Sequence, residues 1–330
     1  MRAGFQCFLS IGLVAAVVLS ATPARTDGQV RRLEEMSRAG IAGVDRDRAV
    51  VLLPGGILEQ HGPHLPVFTD GYTSQWFTQR VAEAIVTHTG RPVLVFPQIP
   101  LGVGAPEEFA PRQRFPGSYM VRPQTLRAIL MDLASALGDD GFRWVFILHD
   151  HGPLVHNRVL HEAADYFMET YGGTMAVLTA IPHGAGPLPL SDEQRREDGL
   201  RVHAGLWETS QMLFLRPDLV DPGFRGLAPL PALRGEDLPR IAGAPDWPGY
   251  FGSPRLAQPD IGGRDLARET DGVVDLALRI LKGLDPRTLS RHGDLEGASP
   301  AMLQLDSAIL DQAAHLERRQ AVWLARKGIR

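Results

Sequence analysis

The sequence predicts an α/β protein, with a mostly parallel central sheet and helices on both of its faces. Short apolar runs bounded by glycine, proline or turns alternate with longer segments in which apolar residues recur at helical spacing. The predicted strands span residues 49–53, 92–97, 142–148 and 174–181. The predicted helices span residues 28–44, 73–87, 123–137, 202–215 and 302–325, and residues 184–199 are predicted to form a surface loop. Sheets of this kind present functional residues at the carboxyl ends of their strands.

The composition fits one large globular domain and argues against a nucleic-acid-binding protein. The 330 residues are 44% hydrophobic, which is enough to bury an extensive core. The formal net charge is −4, and lysine and arginine are scattered rather than clustered. Because nucleic acid requires a basic surface, we predict no nucleic-acid partner.

The amino terminus has the order of features found in a secretory signal peptide. Arg2 precedes an apolar stretch at residues 5–19, and small residues follow, with a predicted cleavage site after Ala24. A membrane anchor is the alternative, but the stretch is shorter than the roughly 20 residues that span a bilayer. We therefore predict a signal peptide at residues 1–24, export to the periplasm or the medium, and no membrane association of the mature protein.

The mature chain would contain no cysteine. The one cysteine of the sequence, Cys7, lies in the predicted signal. Any metal ion would therefore be held by oxygen and nitrogen ligands. The mature chain is predicted to have a main domain at residues 25–285 and a helical extension at residues 286–330, which packs on that domain or on a neighbouring subunit.

A first group of potential metal ligands follows the strand predicted at residues 49–53. The group contains Glu59, His61, His64 and Asp70. Two carboxylates and an imidazole at the spacing Glu-x-His-x8-Asp suit a divalent ion such as zinc or manganese, and two ions could share one carboxylate. The alternative is a polar loop in which Asp70 is the N-cap of the next helix.

A second group follows the strand predicted at residues 142–148. His149, Asp150 and His151 come directly after it, at the sheet edge that also carries the first group. We expect the two groups to converge. His156 and His161 fall on the next predicted helix, where a histidine is more often a solvated or hydrogen-bonded core residue than a ligand.

A third pair of candidates is His203 and Glu208. On one helix these two residues are out of phase for an i,i+4 pair, so His203 is expected at the start of the helix or in the loop before it. The alternative makes Glu208 an exposed helix carboxylate. A long loop at residues 98–121, rich in glycine and proline, is predicted to be functional or mobile.

Several separated stretches together resemble the creatininase (creatinine amidohydrolase) family, and they occur in the order found there. The resemblance spans residues 44–284, most of the mature chain. The stretches that carry it are residues 54–66, with the motif Pro-Gly-Gly-Ile-Leu-Glu-Gln-His-Gly-Pro-His-Leu-Pro, and residues 69–70, 115–118, 151–152, 203–205, 208–210, 217–221 and 252–257.

This resemblance implies a three-layer α/β/α sandwich, often assembled as a homo-hexamer. It implies that Glu59, His61, Asp70 and His151 bind two divalent ions, zinc or manganese with iron as an alternative, and that Asp70 bridges them. The implied reaction is hydrolysis of a non-peptide C–N bond, in a cyclic amide or formamide, by a metal-activated water. His203 matches a histidine that passes a proton to the leaving nitrogen. The implied partner is a small-molecule amide.

The chain departs from the family pattern at the third motif. Most relatives have Asn-Gly-His-Gly-Gly-Asn, whereas this chain has His149-Asp150-His151-Gly152-Pro153-Leu154. In creatininase proper a glutamate two residues after the histidine ligates the second ion, and Pro153 stands there in this chain. We predict that Glu208 replaces that glutamate, with His149 and Asp150 as the backup ligands.

The loop at residues 98–121 also departs from the family pattern, which places creatinine itself in doubt as the substrate. The predicted substrate-binding residues are Arg112, Arg114 and Trp207. The arginines would pair with a substrate carboxylate, or are solvated loop residues. The alternatives to the predicted amidohydrolase are a related peptide- or formyl-cleaving hydrolase, and an exported metal-binding protein without catalysis.

Overall fold

The computed structural model describes residues 28–109, 115–182 and 188–329. The predicted signal peptide at residues 1–24, Arg112 and Arg114 lie outside these ranges. The described chain forms one parallel sheet in the order β1-β3-β2-β4-β5. Its strands are β1 (Val30–Arg32), β2 (Val50–Pro54), β3 (Val93–Val95), β4 (Trp144–Leu148) and β5 (Thr174–Val177).

The α-helices of the described ranges cover both faces of this sheet. They are α1 (Arg38–Ala42), α2 (Thr69–Thr89), α3 (Pro123–Asp139), α4 (Leu154–Tyr171), α5 (Asp192–Asp198), α6 (Leu206–Leu215), α7 (Asp237–Ala242), α8 (Pro259–Leu281) and α9 (Pro300–Arg326). Helices α3 and α4 pack together on one face, and α2 and α8 pack together on the other. The predicted three-layer α/β/α sandwich with a parallel sheet is thereby confirmed.

Alternation along the central strands explains the two layers of helices. In β2, Val51 and Leu53 join the core on the α3 and α4 side, while Val50 and Leu52 join the core on the α2 and α8 side. Every residue of β2 is buried, as expected when helices cover both faces. Burial of such side chains contributes about 1.5–3 kcal/mol each.

Strands β2 and β4 end side by side, which brings the two predicted ligand groups to one edge. Pro54 at the end of β2 pairs in register with Leu148 at the end of β4. The loop after β2 then passes close to α2. Gly56 has φ +132°, and a Cβ there would lie 2.5 Å from the Cα of Gly71, so only glycine fits at this crossing.

The amino-terminal helix predicted at residues 28–44 is wrong. This segment contains edge strand β1, a 3-10 turn at Leu33–Glu35 and the short helix α1. Helix α1 starts at residue 38, where the Ser37 side chain accepts a hydrogen bond from the N–H of Gly40, and it ends at Gly43. Pairing of β1 with β3 outweighed the local helical spacing.

Two further differences from the prediction lie between β5 and α6. Residues 184–199 were predicted to be loop, but Asp192–Asp198 forms α5, which begins with a capping box between Ser191 and Gln194. Helix α6 begins at residue 206 rather than 202, because Ala204 adopts a left-handed conformation with φ 51°. His203 therefore lies in the loop before the helix, as expected.

The predicted carboxy-terminal helix is confirmed as α9. Its first half packs against α4 and the segment around Gly104, with Ile309 buried there. From residue 317 onward nearly every residue is exposed. Among the described residues, none of the helices has the length and hydropathy of a membrane span.

Candidate metal centre

Five of the predicted ligands come together at the carboxyl edge of the sheet. Glu59 and His61 lie in the loop after β2, and Asp70 is the second residue of α2. His151 lies in the loop after β4, and Glu208 is the third residue of α6. Their ligand atoms form two groups, each with all atoms within 4.8 Å of one another, and Asp70 belongs to both; a third group of this kind joins Glu59 and His61 to His203.

The two groups are built around the two oxygens of Asp70. In the first, Nδ1 of His151 lies 3.0 Å from Oδ2 of Asp70 and 3.4 Å from Oε2 of Glu59. In the second, Nε2 of His61 lies 3.2 Å from Oδ1 of Asp70 and 3.7 Å from Oε2 of Glu208. A carboxylate that offers one oxygen to each group is arranged to bridge two cations.

The other ring nitrogen of each of these histidines is already used as a donor. Nε2 of His151 donates to the carbonyl oxygen of Gly104 at 2.8 Å, and Nδ1 of His61 donates to the carbonyl oxygen of Glu59 at 3.0 Å. In the neutral rings, the nitrogens that face Asp70 therefore carry lone pairs. Lone pairs facing carboxylates need a cation between them, so these residues fit divalent ions.

The electrostatics of the metal-free site lead to the same conclusion. Burial opposes a charge on His61, but Asp70 and Glu208 outweigh this effect and raise the pKa of His61 to about 9. Burial also disfavours the Asp70 carboxylate, but His61 and His151 hold its pKa well below the usual range. Without a metal ion, a proton on His61 thus supplies the missing positive charge.

Asp70 is not the N-cap of α2, so that alternative is wrong. The N-cap residue is Phe68, which makes no side-chain capping bond, and Asp70 lies inside the first turn. Its carboxylate faces His61 and His151 instead. A carboxylate in the first turn is also stabilised by the helix dipole.

Glu208 is not an exposed helix carboxylate either. Its side chain is about one quarter exposed, and it accepts a hydrogen bond from the N–H of Ala204. The left-handed Ala204 makes this bond possible, because it turns the chain just before α6 begins. Burial raises the pKa of the Glu208 carboxyl above its ordinary value.

His203 is packed against the ligands. Its ring centroid lies 4.3 Å from that of His61, and its Nε2 donates to the carbonyl oxygen of Gln60 at 2.7 Å. Burial, together with His61, lowers the pKa of His203 well below its ordinary value. At neutral pH this ring is therefore uncharged and has Nδ1 available as a proton acceptor.

Three other candidates lie outside these ligand groups. Nε2 of His64 is 2.8 Å from Oγ1 of Thr209, and His149 bonds within the loop after β3. Asp150 is half-buried, and burial together with Asp70 and Glu269 raises its pKa to about 8. None of His64, His149 and Asp150 belongs to the ligand groups found among the described residues.

Trp207, a predicted substrate-binding residue, lies beside the centre. It lines a small cleft together with His203 and Glu208. The guanidinium of Arg201 lies over its ring, 5.1 Å from the centroid. The predicted partners Arg112 and Arg114 lie outside the described residues.

Two residues that the sequence reasoning missed support the ligands. The carbonyl oxygen of Gln60 fixes the ring of His203. The side-chain amide of Asn157 donates to the carbonyl oxygens of His151 at 2.9 Å and Pro153 at 3.0 Å. Gln60 lies within the motif at residues 54–66, and Asn157 lies three residues after the motif at residues 149–154. Closeness to these motifs was the available signal.

A cavity of about 790 Å³ lies between α9 and residues 104–108 and 115–123, and its lining includes none of the five proposed ligands. Two residues that line it also bond to the site: Gly104 accepts the hydrogen bond of His151, and Oγ of Ser118 accepts one from the N–H of Gln60. The cavity wall mixes apolar side chains such as Ile309 with charged ones. Its size exceeds that needed for a small cyclic amide.

Comparison with known proteins gives one consistent family. The creatininase family model, described as creatinine amidohydrolase, matches residues 34–277. The mycofactocin precursor peptide peptidase of Mycolicibacterium smegmatis is 29% identical over 233 residues, which cover 68% of this chain and 83% of that protein. Creatinine amidohydrolase of Pseudomonas putida is 29% identical over 182 residues, covering 52% of this chain and 66% of that protein.

Solved creatininase structures share the fold. The crystal structure of creatinine amidohydrolase (creatininase) has a TM-score of 0.60 and 24% identity, and the match covers 77% of this chain and 98% of that one. A structure titled "Creatininase Mn" has a TM-score of 0.57 and 22% identity, with coverage of 76% and 98%. From the extent of the family match and this shared fold, we conclude that the chain belongs to the creatininase family.

Proposed function

We propose that this chain is a metal-dependent amidohydrolase with a dinuclear centre. One ion would be held by Glu59, Asp70 and His151, and the other by His61, Asp70 and Glu208. The observation that carries this proposal is the shared Asp70, whose two oxygens each face the lone pair of a different histidine. Divalent ions at these places would acidify a water molecule and polarise the carbonyl of an amide.

The chain's own residues supply the remaining functions. Asp70 and the two histidines would hold the ions, and Glu208 would complete the group that contains His61. His203, neutral and packed on His61, takes up a proton and delivers it to the leaving nitrogen. All five ligands converge, which favours an enzyme over a metal-binding protein without catalysis.

The substrate we propose first is a cyclic amide or a formamide, cleaved at a non-peptide C–N bond. Support comes from the family description and from the name of the Pseudomonas putida relative. The second candidate is a peptide-derived amide. Support for it comes from the name of the Mycolicibacterium smegmatis relative.

The proposed metal is zinc or manganese, with iron as the alternative. Oxygen and imidazole ligands suit these ions. The titles of two related structures name a Zn-Zn type and a Mn form of creatininase. We also propose that the chain assembles as a homo-hexamer. We further propose that residues 1–24 direct export to the periplasm or medium, which amino-terminal sequencing of the exported protein would test.

The test of the dinuclear centre is the metal content per chain of the purified mature protein and of Glu208→Ala. We expect two ions in the wild type and about one in the variant. One ion in the wild type, unchanged in the variant, would remove Glu208 from the site. A panel of cyclic amides, formamides and short peptides would then separate the two substrate classes.

A further inference from the structure

A pair of buried histidines binds the segment at residues 101–104, in the loop after β3. Nε2 of His149 lies 3.1 Å from the carbonyl oxygen of Leu101. Nδ1 of His156 lies 3.2 Å from the main-chain nitrogen of Val103. The two rings are joined to each other, with Nε2 of His156 3.2 Å from Nδ1 of His149.

One assignment of protons satisfies the contacts that this pair makes with Leu101, with Val103 and within the pair. The N–H of Val103 can only donate, so Nδ1 of His156 accepts and the proton of the neutral ring is on Nε2. That proton is donated to Nδ1 of His149, whose own proton is then on Nε2 and is donated to Leu101. The N–H of Gly56 lies 3.2 Å from Nδ1 and 3.3 Å from Nε2 of His149, and in this assignment only Nδ1 can accept from it.

Both rings are buried: His156 is fully buried and His149 is 2% exposed. Burial favours the neutral form of an imidazole, which is the form that this assignment requires.

Residues 101–104, which this pair binds, end at Gly104, and the carbonyl oxygen of Gly104 orients the proposed ligand His151. The carbonyl oxygen of Gly104 accepts the Nε2 proton of His151 at 2.8 Å. On its other side Gly104 is packed by α9, because a Cβ at this glycine, with φ +84°, would lie 2.5 Å from Cδ1 of Ile309. The position of this carbonyl thus depends on the histidine pair and on α9 together.

We propose that His149 and His156 are positioning residues of the metal centre. They hold residues 101–104 so that Gly104 takes the Nε2 proton of His151 and leaves its Nδ1 lone pair for a divalent ion. This inference rests on the proposed function, because it treats His151 as a ligand. It gives His149 a role other than that of a backup ligand.

The first experiment compares zinc affinity, measured by chelator competition at pH 7, in the wild type, His156→Gln and His161→Gln. His161 is the matched control: it lies on the same helix, is buried, and bonds to the carbonyl oxygen of Ala180. Loss of a partner that orients a metal ligand costs about 10–100-fold in affinity. We expect a loss of this size in His156→Gln, and less than about threefold in His161→Gln.

The outcomes separate this inference from the proposed function. Zinc affinity in His156→Gln equal to that of His161→Gln would overturn the positioning role while leaving the metal centre in place. A wild-type protein that binds no zinc would overturn both. Urea unfolding of the metal-free variants shows whether both are folded to the same extent.

A second experiment needs neither a variant nor a metal ion. In metal-free, 15N-histidine-labelled wild type, long-range 1H–15N correlation spectra report which ring nitrogen carries the proton. We expect the Nε2–H form for both His149 and His156. The Nδ1–H form, or a charged ring at pH 7, in either residue would overturn the inference.

Discussion

The buried clusters around Asp70 and Asp265 are built in opposite ways. Asp265 on α8 is fully buried and is surrounded by donors: Arg201 at 3.0 Å, Arg268 at 2.7 Å and the amide of Gln211 at 2.9 Å. Asp70 on α2 is surrounded by two carboxylates and by histidines whose N–H groups are used elsewhere.

The difference distinguishes a structural cluster from a ligand site. Around Asp265 the charges are balanced by guanidinium groups that do not lose their protons at any ordinary pH. Around Asp70 the acceptors outnumber the donors, and the balance is left to a proton on His61 or to metal ions. A buried excess of acceptors of this kind indicates cation binding, whereas burial of a carboxylate alone does not.

The largest effect is expected from Asp70→Ala. The variant should lose both ions, and hydrolysis should fall on the order of a thousandfold, equivalent to about 4 kcal/mol of transition-state stabilisation. The metal-free variant should lose less stability than a variant of Asp265, because His61 can release its proton when its partner is removed, whereas a guanidinium cannot. Metal analysis, kcat/KM and urea unfolding measure these quantities. Retention of two ions would contradict the bridging role.

The converse result is expected from Asp265→Ala. Removing this carboxylate leaves buried guanidinium groups without their partner, which costs about 3–5 kcal/mol of unfolding free energy. Asp260 on the same helix is the control, since its pair with Arg264 is exposed and Asp260→Ala should cost about 1 kcal/mol or less. Urea unfolding of the metal-free proteins measures both. Equal losses would show that the Asp265 cluster has no special structural role.

Metal removal should lower stability by a smaller amount, and only where Asp70 is intact. At a free zinc concentration of 100 times the Kd, binding to the native state adds about 2.7 kcal/mol. Calorimetric melting of the wild type should therefore shift down on chelation, while Asp70→Ala should melt at the same temperature with and without chelator. A shift of equal size in both proteins would place the metal outside this cluster.

The smallest effect is expected from mild acid acting on a histidine outside the centre. Burial, with Arg291 nearby, lowers the pKa of His161 to about 4, so the unfolded chain binds this proton more tightly than the folded chain. The stability contribution of the neutral ring is present above about pH 6.5 and is lost as the pH falls toward 4, by about 2 kcal/mol at pH 5.

Urea unfolding of metal-free protein at pH 5 and pH 7 measures this loss. His161→Gln should reduce the pH dependence by about 2 kcal/mol, and Asp70→Ala should leave this His161-dependent difference unchanged. An unaltered pH dependence in His161→Gln would mean that another group takes up the proton.

The sheet and the identity of the clustered residues could be predicted from the sequence. Residues 49–53 and 142–148 are short apolar runs followed by polar motifs. A continuous apolar run of this length is typical of a parallel strand that is buried on both faces. The amino-terminal prediction failed because Val30 reaches a strand partner 63 positions away, at Val93, which local spacing does not reveal. The start of α6 was missed because the left-handed Ala204 has no side-chain signal.

By itself the sequence determined which residues could ligate and on which edge they would lie, because parallel strands end together and side-chain chemistry limits the possible ligands. Only the tertiary structure decided which nitrogen of each histidine faces Asp70, because that depends on the distant carbonyl oxygen that takes the other proton. It also directed His149 away from the ligands and toward residues 101–104. Hydrogen bonds between residues far apart in the chain are set by the packed fold, and no local pattern encodes them.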